Sequence, residues 1–151
     1  MRSVLTTALV RPFLRLSRGL TLGVRGVVSG PDGVLLVRHS YVAGWYLPGG
    51  GVERGETVRQ ALDRELGEEA NVSLLTPPRL HGLFSNDKRF PGDHVLVFVA
   101  DQWRQDAAPK PNAEILETGF FPLSGLPKGI SPGTRRRLAE IFEGAEPAED
   151  W

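Results

Sequence analysis

The chain has 151 residues, no cysteine, and 18 basic against 18 acidic side chains, a formal net charge of zero. With 40% apolar residues it is expected to form one compact domain with a sizeable core. The even balance excludes a global field for nucleic acid or an acidic membrane, so any anion must be held by local contacts. The missing cysteines exclude disulfides, thiolate metal sites and a cysteine nucleophile. No apolar stretch approaches the ~20 residues of a membrane span. A soluble, cytoplasmic protein with no membrane and no stable nucleic-acid partner is expected, and hard-cation chemistry through oxygen ligands stays open.

Residues 1–31 contain no acid and five arginines, Arg2, Arg11, Arg15, Arg18 and Arg25. Pro12 interrupts the apolar run Val4–Val10, so a basic helical extension over about 1–19, leaning on the domain, is expected rather than a secretory segment. Leu20, Leu22 and Val24 alternate with Thr21, Gly23 and Arg25, the period of a strand with one buried face, from which Arg25 points away. Gly30-Pro31-Asp32-Gly33 reads as a turn, and Val34–Val37 as a central strand ended by Arg38 and His39. Arg38 offers a guanidinium to an anion, whereas a lone histidine there reads as structural or solvated. Trp45 and Tyr46 lead through Pro48 into Gly49–Gly51, where missing side chains let the backbone approach a ligand.

Glu56-Thr57 opens a helix, Gly67 inside it hints at close packing, and Asn71 stands where a helix ends in the left-handed conformation. Leu80–Phe84 and His94–Val99 read as strands joined by residues 85–93, a loop whose Lys88, Arg89 and Phe90 suit either a nucleotide contact or a solvated hairpin. Residues 104–113 are polar, Ile115–Phe121 reads as a further strand, and Ser131-Pro132 opens a final helix to about Phe142. The tail from about Gly144 is expected to fray. Strands interleaved with two helices imply an α/β or α+β sandwich with both parallel and antiparallel pairs.

On a wheel of about 100° per residue, Ala61, Leu62 and Leu66 fall within about 80° of Val58, and Glu65 and Glu69 fall on the same arc. Carboxylates at i and i+4 are ordinarily solvated, but this pair sits among core-facing positions. Burying two ionised carboxylates side by side is costly unless they bind a cation, so the pattern asks for a hard metal. Glu68 flanks the pair.

Residues Gly50 to Val72 resemble the Nudix box, G-x5-E-x7-R-E-U-x-E-E-x-G-U, with U aliphatic. Gly50, Glu56, Arg64, Glu65, Leu66, Glu68, Glu69 and Val72 match, and Asn71 replaces the last glycine. Chance would give such a match about once in ten million starting points. Trp45–Gly50 and Phe120–Leu123 with Leu126-Pro127 extend the resemblance over residues 20–143. It implies a Nudix fold, an α/β/α sandwich with a mixed β-sheet, and metal-dependent hydrolysis of a nucleoside diphosphate linked to another moiety. ADP-ribose-like compounds and nucleoside triphosphates stand level as substrates. By the same resemblance Mg²⁺ or Mn²⁺ is held by Glu65, Glu68 and Glu69 with the carbonyl of Gly49. Glu65 serves as base if the enzyme is of the nucleoside-triphosphate type, Glu114, six residues before Phe120, is an additional ligand or base, and Glu56 pairs structurally with Arg64. Arg25, Arg38 and Arg89 are candidate phosphate contacts. RNA 5′-pyrophosphate removal and a non-catalytic nucleotide sensor are the competing readings, and a homodimer is left open.

Overall fold

The computed structural model describes residues 19–151, so Arg2, Arg11, Arg15 and Arg18 of the expected basic extension lie outside the described residues. Strands β1 (Thr21–Gly30), β2 (Gly33–His39), β4 (Arg79–Ser85), β5 (Asp93–Ala100) and β7 (Ile115–Phe121) build the main sheet in the order β4-β5-β1-β2-β7. Only β1 and β5 pair in parallel, so the sheet is mixed. Helices α1 (Val58–Ala70) and α2 (Pro132–Phe142) cover it, each over its own apolar cluster. Strand alternation divides the two: Val24, Val28 and Leu35 pack with Ala61, Leu62 and Leu66 of α1. Val27, Val34 and Leu36 pack with Leu138 of α2. This is the expected α/β/α sandwich.

The hairpin β1–β2 is registered only at its turn, through Ser29 with Val34 and Gly30 with Gly33. Beyond that the strands part, and the segment from Trp45 to Val52 takes up their free backbone groups. Val37 exchanges both backbone hydrogen bonds with Tyr46 at 2.9 Å. On the other side Gly26 N–H donates to Pro48 O at 2.9 Å, Val24 N–H to Gly50 O at 2.8 Å and Val52 N–H to Leu22 O at 2.8 Å. The glycine-rich segment is thereby wedged into the middle of the sheet, directly before α1.

The structure departs from the sequence reading in four places. Leu20 precedes β1 and is exposed, because the buried alternation begins only at Val24. Strands β3 (Val72–Leu74) and β6 (Trp103–Gln105) form a separate two-stranded sheet that three-residue segments are too short to announce. A side chain at Gly67 would meet nothing within 4 Å, so close packing is not the reason for that glycine. The tail does not hang free where fraying was expected. Ser85 N–H donates to Glu149 O at 2.9 Å, Trp151 N–H donates to Ser85 O at 2.8 Å, and the Trp151 ring meets Phe84 edge-on.

The same corner buries a charged cluster. Arg137 is 0% exposed, lies 3.8 Å over the Phe84 ring and donates to Glu140 Oε1 at 2.5 Å. Glu140 also accepts from Ala148 N–H at 3.0 Å and pairs with His81 Nε2 at 2.8 Å. Burial pushes the Glu140 carboxyl up, but donation from His81, Ala148 N–H and Arg137 outweighs it and holds the group below its ordinary value of 4.5. A depressed carboxyl contributes stability above its unfolded value and loses it as pH falls through the folded one. Glu140→Gln is therefore expected to lower stability at pH 7 by about 2–4 kcal/mol and to flatten the fall in melting temperature below pH 4.5. Parallel melting-temperature curves for variant and wild type between pH 7 and 3 would contradict this.

Candidate active site

Helix α1 is fixed at both ends by its own sequence. Thr57 and Gln60 form a capping box, with Gln60 N–H donating to Thr57 Oγ1 at 3.2 Å and Thr57 N–H to Gln60 Oε1 at 2.9 Å. Asn71 closes the helix in the left-handed conformation at φ 52°, its N–H donating to Gly67 O at 3.0 Å. Between these caps Ala61, Leu62 and Leu66 are buried, which turns Glu65 and Glu69 toward the wedged glycine segment.

Glu69 is only 4% exposed. Its Oε2 accepts from Gly49 N–H at 2.8 Å, and its Oε1 lies 2.6 Å from His39 Nε2. Gly49 has φ 138°, and a side chain there would lie 2.1 Å from Val24 O, so only glycine fits. Glu65 is half-buried against Gly50, where an added Cβ would stand 2.4 Å from Glu65 Oε1. Burial raises the Glu65 carboxyl against the opposing donation from Arg64, and the charges of Glu69 and Glu68 add to the rise. Glu68 is exposed, with its carboxylate 3.5 Å from Arg64.

Arg64 links scaffold to site. Its Nε and Nη2 reach the two oxygens of Glu56 at 2.8 and 3.1 Å, Nη2 also donates to Gly51 O at 3.1 Å, and Nη1 donates to Glu65 Oε1 at 2.7 Å. The expected Glu56–Arg64 pair is present, and Arg64 also touches Glu65 on the carboxylate arc, because a guanidinium fork is long enough to serve both sides. Arg64→Ala is expected to cost about 2–3 kcal/mol in denaturant unfolding. Arg64→Lys should recover only part, since an ammonium cannot fork between carboxylates.

The wedge borders a cleft of about 460 Å³ that no residue of α1 lines. Arg25, His39, Tyr41, Gly50, Gly51, Asn86, Arg89 and Phe90 line it, with Trp151 at its wall. Arg25 and Arg89, two of the three candidate phosphate contacts, are among these lining residues. Arg25 donates through Nη1 to Leu47 O at 3.3 Å and to Gly49 O, so the carbonyl expected on a metal already faces a guanidinium. Gly49, Glu65, Glu68 and Glu69 are not among the cleft's lining residues, and Arg38 and Glu114 lie further off. Arg38 pairs with Glu117 at 3.0 Å across β2 and β7. Glu114 stands at the start of β7, its carbonyl accepting from Ser40 N–H at 2.8 Å, and does not line the cleft. Among the described residues no group of three acidic or histidine side chains is gathered closely enough to hold a metal ion. Tyr41, Asn86 and Trp151 were not singled out from the sequence. The first sits beyond the alternating run of β2, and the last is brought 66 residues back to Ser85 by the tail.

Residues 19–141 match the model of the NUDIX domain. The chain belongs to the Nudix family. An ADP-ribose pyrophosphatase of Methanocaldococcus jannaschii is 33% identical over 112 residues, covering 71% of this chain and 64% of that protein. An NAD-capped RNA hydrolase of Yersinia pestis is 34% identical over 112 residues, covering 72% of this chain and 42% of that protein. The Nudix chain thus matches less than two-thirds of the length of either relative. The crystal structure of a MutT Nudix hydrolase from Burkholderia pseudomallei superposes with a TM-score of 0.69 at 22% identity, covering 81% of this chain and 98% of that one. It shares the sandwich with this Nudix chain.

Proposed function

We propose that this Nudix chain hydrolyses the diphosphate linkage of a nucleoside diphosphate joined to another moiety, by attack of water on phosphorus. The observation that carries this reading is Glu69, buried, acceptor-only and bound to the Gly49 turn beside a cleft that holds Arg25 and Arg89. By donor chemistry the set suits a hard divalent cation such as Mg²⁺ or Mn²⁺, since Glu65, Glu68 and Glu69 and the Gly49 carbonyl offer only oxygen; holding the ion would require the carboxylates to draw closer than they stand and Arg25 to release Gly49 O. These residues would hold the ion. When bound, it neutralises charge on phosphoryl oxygens and lowers the proton affinity of a bound water.

The remaining roles belong to side chains of the cleft. Arg25 and Arg89 present guanidinium groups that match phosphate oxygens, and Tyr41 and Phe90 offer ring faces to a base. Glu65, packed against the cleft residue Gly50, is the favoured base over Glu114, although neither carboxylate lines the cleft itself. ADP-ribose-like compounds and nucleoside triphosphates both fit this description, and the archaeal relative named for ADP-ribose supports the first.

Incubation with ADP-ribose, nucleoside triphosphates and other diphosphate-linked nucleotides, each with Mg²⁺ and with Mn²⁺, is expected to release a nucleoside monophosphate from at least one class. Nucleotide binding without turnover across the metal series would support a sensor instead. The Yersinia relative named for NAD-capped RNA favours RNA 5′-end hydrolysis as the second reading. That reading requires an affinity for RNA falling steeply with salt. A chain indifferent to RNA ends at low salt excludes it.

A further inference from the structure

We propose that His39 is a positioning residue that fixes the Glu69 carboxylate, and through it the Gly49 turn, in the orientation the site requires. His39 is the last residue of β2 and is 3% exposed, although a histidine at a strand end is ordinarily solvated. It is held under the rings of Tyr41, 5.0 Å between centroids, and Tyr46, at 6.1 Å. Its Nε2 lies 2.6 Å from Glu69 Oε1.

The direction of that bond follows from the partners. An ionised carboxylate only accepts, and Gly49 N–H already donates to Oε2, so Nε2 carries the proton that reaches Oε1. One carboxylate is thus pinned at both oxygens, by a side chain from β2 and by a backbone amide from the wedge. Those two bonds leave the carboxylate a single rotamer, and each oxygen keeps a lone pair for another ligand. His39 Nδ1 is buried with no partner, so nothing on its far side anchors the imidazole by hydrogen bonding. The ring is held by tilted contacts with the two tyrosine rings and by the Glu69 bond. A buried polar group kept at that cost in a β-strand is better explained by what it orients than by the core it interrupts.

The role in metal affinity rests on the proposed reading of Glu69 as a ligand; the role in holding Gly49 does not. Two variants separate orientation from simple packing. In His39→Gln the amide nitrogen can occupy the place of Nε2, whereas in His39→Asn it stops near the place of Nδ1, out of reach of Glu69. The metal-free chain is measured first, by hydrogen exchange at the Gly49 amide. His39→Asn should speed that exchange at least about tenfold, and His39→Gln should leave it within about threefold of wild type. Mn²⁺ titration followed by electron paramagnetic resonance should then show affinity about 10–100-fold weaker in His39→Asn and near wild type in His39→Gln.

Equal protection of Gly49 in all three proteins overturns the proposal. So does equal loss in both variants, which would mark His39 as a packing residue only. If Gly49 exchange separates the variants but wild type binds no Mn²⁺, the positioning of the turn stands and the metal reading of Glu69 fails.

Discussion

Glu69→Gln is expected to reduce turnover about 10³-fold or more while the chain remains folded at 25 °C. The carboxylate, carried by α1, joins the wedge at Gly49 to the end of β2 at His39. An amide of the same shape replaces it poorly: with the proton on His39 Nε2 either flip of the glutamine sets an NH₂ against a donor, and the other tautomer, which relieves this, leaves a buried Nδ1–H without a partner. The resulting unpaired donor should cost about 1–3 kcal/mol, a fraction of the stability of an ordinary domain. A variant that melts somewhat lower and no longer turns over substrate with Mg²⁺ is the expected result. Wild-type turnover in Glu69→Gln would remove the basis of the proposed function.

Gly49→Ala should have the largest effect on folding. The new methyl would sit 2.1 Å from Val24 O, a backbone atom of the central strand that cannot step aside, and φ 138° is strained for alanine in any case. A loss of about 4 kcal/mol or more is expected, lowering the melting temperature by about 10 °C. Gly50→Ala makes an instructive contrast. Its Cβ would collide with the carboxylate of Glu65 at 2.4 Å, and a side chain can rotate away. That substitution should therefore spare the melting temperature and lower activity by displacing Glu65. Similar melting temperatures for the two variants, measured by circular dichroism, would contradict the placement of the wedge.

Much of this architecture can be read from local chemistry. The span of α1 follows from Thr57 and Gln60 at one end and Asn71 at the other, and α2 from Ser131 and Pro132. Strands β5 and β7 follow from runs long enough to show their character. The buried side of α1, with Glu65 and Glu69 on it, was visible as periodicity, and the match to the Nudix box gave those carboxylates a chemistry.

What stayed hidden depends on contacts between distant segments. Nothing in Trp45–Val52 declares that it will part β1 from β2, because its hydrogen bonds go to residues on either side of it in the sheet. The docking of Trp151 depends on Phe84 and Arg137, far back along the chain. Arg38 and Arg89 look alike as sequence, yet cross-strand register hands one to Glu117 while the loop after β4 brings the other to the cleft. His39 shows the same limit. Its residue type left a structural and a solvated role open, and only the packing of α1 against β2 brings it to Glu69.

We propose that water attacks phosphorus at a site dependent on a divalent cation. The most direct measurement is hydrolysis by metal-stripped protein in ¹⁸O-labelled water, before and after Mg²⁺ is added, on whichever nucleotide the substrate panel selects. The expected result is no product before addition. After it, nucleoside monophosphate should form, with ¹⁸O in a phosphate group of one of the two products. Turnover unaffected by metal removal, or label on a sugar carbon and on neither phosphate, would contradict it.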